Sequence, residues 1–119
     1  MPIGECLDSK IRIYSENGLQ DISGYQIFGV YERQSDIVNG RRYLMKTTSD
    51  YGIWWACGNR WCIGSLKFKG HCYCIAVKYM DHRCLTISDD WSWFTYNGTI
   101  ENFTSAGKNI GAKSISSMY

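Results

Sequence analysis

The sequence has no apolar run near the roughly 18 residues that span a bilayer as a helix. Its N-terminus, Met1 to Asp8, lacks the basic and apolar regions of a secretory leader. The expectation is a soluble protein, or a mature fragment whose leader has been removed. Histidine is scarce, with His71 and His82 alone, and there is no G-x-S-x-G elbow, no glycine-rich phosphate loop and no H-E-x-x-H pair. A Cys–His nucleophile pair requires a proximity that sequence does not show. Asp89 and Asp90 are adjacent, whereas glycosidase carboxylates are rarely sequence neighbours, so they read as a solvated pair. The expectation is a non-enzymatic protein without a cofactor. Charged residues make up only 20% of the chain against 45% hydrophobic, which excludes a disordered polypeptide. Pro2 is the single proline, against 12 glycines.

Rings are abundant: five Trp, nine Tyr and four Phe in 119 residues. Together with the glycines they favour strands and tight turns over helices. The length suits one domain, burying about 65% of the unfolded surface. Asn17-Gly18, Asn39-Gly40 and Asn97-Gly98 are strong hairpin signals, because a type I′ turn needs positive φ at both central residues. Gly58-Asn59 and Lys69-Gly70 are weaker ones. Strands are expected near 10–14, 27–33, 41–47, 52–57, 60–65, 72–78, 92–96 and 99–103. The fold class is therefore all-β: a single small antiparallel meander, sandwich or barrel of about seven or eight short strands.

Registers follow from the turns. A two-residue loop at Gly58-Asn59 sets Ala56 opposite Trp61, Trp55 opposite Cys62 and Trp54 opposite Ile63. Trp54, Ala56, Trp61 and Ile63 then share an apolar face, and Trp55, Cys57, Arg60 and Cys62 a mixed one. The Asn97-Gly98 turn sets Thr95 opposite Ile100 and Trp93 opposite Asn102. Between 75 and 87 helical and strand spacings compete, and a strand ending near Lys78, followed by a loop through Asp90, is preferred. Residues 1–23 form an N-terminal segment with an edge strand, 24–104 the β module, and 105–119 a small polar tail that is flexible or ordered by a partner.

The net charge of +2 conceals a segregation. Residues 1–40 carry net −3, 41–78 carry seven basic and one acidic side chain for +6, 79–101 carry −3 and the remainder +2. A basic middle suits either an anionic partner or a sheet that mixes these charges in space. Six cysteines, Cys6, Cys57, Cys62, Cys72, Cys74 and Cys84, admit three readings. Free buried thiols are preferred, disulfides come next, and a metal site last, because Cys57-x4-Cys62 and Cys72-x-Cys74 are not knuckle spacings. The tripeptides Asn97-Gly98-Thr99 and Asn102-Phe103-Thr104 are acceptor sequons that matter only in a secreted protein.

Trp54, Trp55, Trp61, Phe68 and Tyr73 interleave with the basic stretch as they would in a single-strand binder. However, the run 67–75 lacks the paired aromatic spacing of an RNP strand, and nucleic acid is not the expected partner. Sugar stacking on Trp55, Trp91 and Trp93 is the alternative function, a lectin-like β domain.

A more specific pattern runs through Gly29-Val30-Tyr31, Val38-Asn39-Gly40-Arg41-Arg42-Tyr43, Ile53-Trp54, Arg60-Trp61-Cys62-Ile63-Gly64, Gly70 and Trp91-Ser92-Trp93. It resembles a small β-rich module that recurs in algal, dinoflagellate, oomycete and marine-invertebrate proteins, with the pattern G-x-Y…V-N-G-R-P-x-Y…W-x-I-G…W. The resemblance covers about residues 24–103. Arg42 stands where that module carries proline, and the cysteines lie outside the pattern. The resemblance implies a non-catalytic domain attached to diverse neighbours. The functional expectation is a structural or protein-interaction module, a small accessory subunit of a larger protein assembly. Its binding residues are expected among Trp55, Trp91, Trp93, Arg41, Arg42, Arg60, Lys67 and Lys69.

Overall fold

The structure is a computed structural model that describes residues 9–15, 27–56, 60–78, 93–96, 103–107 and 110–115. Its elements are β1 (Lys10–Ser15), β2 (Gly29–Val38), β3 (Arg41–Lys46), β4 (Tyr51–Ala56), β5 (Arg60–Ser65), a 3-10 turn (Leu66–Phe68), β6 (Ala76–Lys78), β7 (Trp93–Tyr96), β8 (Phe103–Gly107) and β9 (Ile110–Ser114). All join one antiparallel sheet in the order β8-β7-β6-β5-β4-β3-β2-β1-β9. The all-β antiparallel expectation holds.

The last two strands bend this sheet into a curl. β8 pairs with β7 at one edge and β9 with β1 at the other, yet residues 108 and 109 alone separate them in sequence. Three virtual Cα bonds reach at most about 11 Å. The two edges therefore come together, as in a sheet closing toward a barrel. The segment from Ser105 onward, expected as a loose tail, supplies β9, whose pairs run from Ile11↔Ser114 to Ser15↔Ile110.

The Asn39-Gly40 hairpin forms as its sequence predicts: Val38 pairs with Arg41, and φ is 53° at Asn39 and 89° at Gly40. The next hairpin does not. Residues 57–59 intervene, so Ala56 pairs with Arg60, Trp55 with Trp61, Trp54 with Cys62 and Ile53 with Ile63. A shift of one residue exchanges the faces. Ile53, Trp55, Trp61 and Ile63 share one cluster, and Trp54, Ala56 and Cys62 the other. The last hairpin is also wider than expected, with Tyr96 opposite Phe103, Thr95 opposite Thr104 and Trp93 opposite Gly107. The strand expected over 72–78 begins at Ala76. Asn17-Gly18 and the 79–92 connection lie outside the described residues.

The central strands are buried on both faces, as strands covered from two sides must be. The larger cluster gathers Ile11, Ile13, Tyr31, Leu44, Ile53, Ile63 and the Trp55–Trp61 pair, whose rings meet edge to face at 5.4 Å. Because it draws from β1 through β5 and takes Ala112 of β9, it fills the concave side. Each fully buried aliphatic there contributes about 1.5–3 kcal/mol. Tyr31 places its hydroxyl in the same core and donates to the Ile27 carbonyl at 2.6 Å. Burial, with a smaller contribution from the nearby Tyr51, raises its phenol well above the usual range. The second cluster, Tyr43, Trp54, Ala56, Cys62, Cys74 and Val77, lies on the convex side.

Candidate binding surface

A sheet face carrying Trp54 cannot be left to water, and the β5–β6 connection covers it. This strap, residues 66–75, is anchored at its start by the Leu66 amide, which donates to the Asp50 carbonyl at 2.8 Å. Two tight turns follow, with Lys69 N–H bonding the Leu66 carbonyl at 3.1 Å and His71 N–H the Phe68 carbonyl at 2.9 Å. Two side chains, Trp54 of β4 and Asn39 of the β2–β3 turn, then hold its backbone, and a third, Tyr43 of β3, meets a strap side chain. The Trp54 indole Nε1–H donates to the His71 carbonyl at 2.9 Å. The Asn39 amide donates to the Gly70 carbonyl at 3.1 Å and also to the Trp55 carbonyl at 2.7 Å. The Lys69 ammonium lies 4.3 Å from the Tyr43 ring centroid. At its end Ile75 N–H bonds the Ile63 carbonyl at 2.8 Å.

A disulfide joins Cys62 in β5 to Cys74 in the strap, and Cys72 is disulfide-bonded as well. This corrects the preference for free thiols at these positions. Cys62 and Cys74 are buried, but they face each other across the strap–sheet contact rather than packing as separate hydrophobes.

The underside of the strap is thus consumed by the sheet. Its upper side presents Lys67, Phe68, Lys69, His71 and Tyr73, all exposed. Tyr73 is 69% exposed and Phe68 37%. Their rings lie 5.1 Å apart at 49°, with the His71 ring 6.5 Å from Tyr73. The Lys67 ammonium sits 5.6 Å from the Phe68 ring. The result is a small platform of rings bordered by two ammonium groups, on a backbone already fixed in place.

Of the residues expected to bind, Lys67 and Lys69 lie on this platform. Trp55 does not: it is 8% exposed and packs in the concave core. Arg41 is spent on it, with its guanidinium carbon 3.6 Å from the Trp55 ring centroid. Arg42 is half-buried, and its Nε donates to the Gln34 carbonyl at 2.7 Å, where β2 carries an irregularity between Arg33 and Ile37. Arg60 is half-buried in β5 opposite Ala56. Trp93 is in β7 opposite Lys78, and Trp91 lies outside the described residues. Phe68, His71 and Tyr73 were not among the expected binding residues. Reading 72–78 as a strand gave Tyr73 the same alternation as Ile75 and Val77.

No group of His, Cys, Asp and Glu suited to a metal occurs among the described residues, and no helix among them is long and apolar enough to cross a membrane. No family model, curated protein or solved structure matches the chain.

Proposed function

We propose that this protein is a non-enzymatic interaction module, an accessory subunit of a larger protein assembly, and that the strap of residues 66–75 is its contact surface. The supporting observation is the exposed Phe68–Tyr73 ring pair on a segment stapled by the Cys62–Cys74 disulfide. Rigid aromatic side chains on ordered backbone are what interface hot spots are made from. Ordering the strap during folding removes that cost from binding. The disulfides at Cys62, Cys72 and Cys74 support a working protein in an oxidising compartment.

The test is affinity capture of the intact protein from its cells of origin, comparing wild type with F68A/Y73A. Neither ring belongs to a buried core cluster, so the variant is expected to fold and melt close to wild type and to lose its partner. Retention of the same partner would remove the strap from the account. Sugar stacking remains the second reading, because Tyr73 offers an open ring face where Trp55 does not. Glycan-array binding that disappears in Y73A would favour it.

A further inference from the structure

We infer that the strap docks an acidic polypeptide segment in which carboxylates flank an apolar or aromatic side chain. This rests on the strap being the contact surface and specifies what that surface recognises. Three observations carry it. The first is the local charge: residues 66–75 hold no Asp or Glu and present Lys67 and Lys69, both exposed. The strap therefore meets a ligand with two ammonium groups and no carboxylate within its own segment.

The second is the order cation, ring, cation at Lys67, Phe68 and Lys69, with all three exposed. The 3-10 turn and the His71–Phe68 hydrogen bond hold this stretch in one conformation. A ligand matching it sets an apolar group on Phe68 and Tyr73 and a carboxylate toward each lysine. The Lys69 side chain is exposed and its ammonium rests 4.3 Å from the Tyr43 ring centroid, which holds the cation at the edge of the strap, where a carboxylate can reach its open side.

The third is redox chemistry. Cys62, Cys72 and Cys74 are all oxidised, which fits an extracellular or luminal setting. That setting favours an acidic protein segment over single-stranded nucleic acid, although both would satisfy rings and ammonium groups.

The probe is a fluorescein-labelled peptide alternating glutamate with phenylalanine, titrated with the intact oxidised protein at low salt. Its lysine–phenylalanine counterpart and a labelled oligothymidylate serve as comparators. The acidic peptide is expected to bind, to weaken as salt rises, and to lose about tenfold or more in affinity in K67E/K69E, since reversal replaces attraction with repulsion at both positions. F68A/Y73A should weaken it as well. Equal binding of the lysine peptide, indifference to K67E/K69E, or tighter lysine-dependent binding of the oligothymidylate would each overturn the inference. The outcome is separable from that of the preceding section. If F68A/Y73A loses the captured cellular partner and K67E/K69E keeps it, the strap is the contact surface but its ligand is not acidic. If both variants keep the partner, the strap is not the contact surface.

Discussion

Gly52 and Gly64 are partners across β4 and β5 on the convex face, and the strap lies on them. A Cβ on Gly64 would stand 3.0 Å from the Tyr73 carbonyl oxygen and 3.2 Å from the Trp54 ring. One on Gly52 would meet the Leu66 side chain and stand 2.9 Å from the Leu44 carbonyl oxygen. The paired glycines therefore form the trough that lets a backbone segment approach the sheet closely. Gly64→Val should cost about 1–3 kcal/mol through overpacking, read as a lowered denaturant midpoint. It should also speed tryptic cleavage after Lys67 and Lys69, because a lifted strap opens more often.

The Cys62–Cys74 disulfide closes a loop with a sequence separation of 12. Chain-entropy arguments assign such a loop about 3 kcal/mol. Cys62→Ala with Cys74→Ala should lower stability by roughly that amount and sensitise Lys67 and Lys69 to trypsin. The concave core shares none of these atoms, so the β signature in circular dichroism should persist. Loss of the β signature together with the disulfide would show that strap and sheet fold as one unit.

Trp55 and Tyr73 should respond in opposite ways. Trp55→Ala empties a buried site beside Trp61 and Arg41, at a cost of about 3–5 kcal/mol. Tyr73→Ala removes an exposed ring and should change stability by no more than about 0.5 kcal/mol. Thermal melts of the two variants measure the difference between a core ring and a surface ring directly.

Tyr31 makes stability fall at alkaline pH. Its phenol is raised in the folded state by burial first and by Tyr51 second, whereas the unfolded chain ionises near pH about 10. The stabilising contribution is fully present below that pH and is lost as pH climbs toward the folded value. Urea midpoints should decline from about pH 10 upward. Tyr31→Phe should flatten that decline, at a cost of about 1 kcal/mol at neutral pH for the lost bond to Ile27.

Much of this fold is legible in the sequence because its turns are local. Asn39-Gly40 requires two positive φ values, and the strands on either side follow. The hairpin at 57–59 departs from its expected register because Gly58-Asn59 is a weaker instruction, and one added residue exchanges the faces of β4 relative to β5. That exchange moved Trp55 from a candidate ligand platform into the core. The strap was hidden for a different reason. Its position depends on long-range partners, Gly52, Gly64, Trp54 and Asn39, none of which marks residues 66–75 in a local window. The same holds for β9, whose partner β1 sits at the opposite end of the chain.

The most direct test of the account is partner capture by wild-type protein and by F68A/Y73A, with the melting temperature of each measured in the same preparation. The account predicts equal melting temperatures and loss of the partner in the variant. A variant that melts as wild type does and still captures the same partner would contradict it.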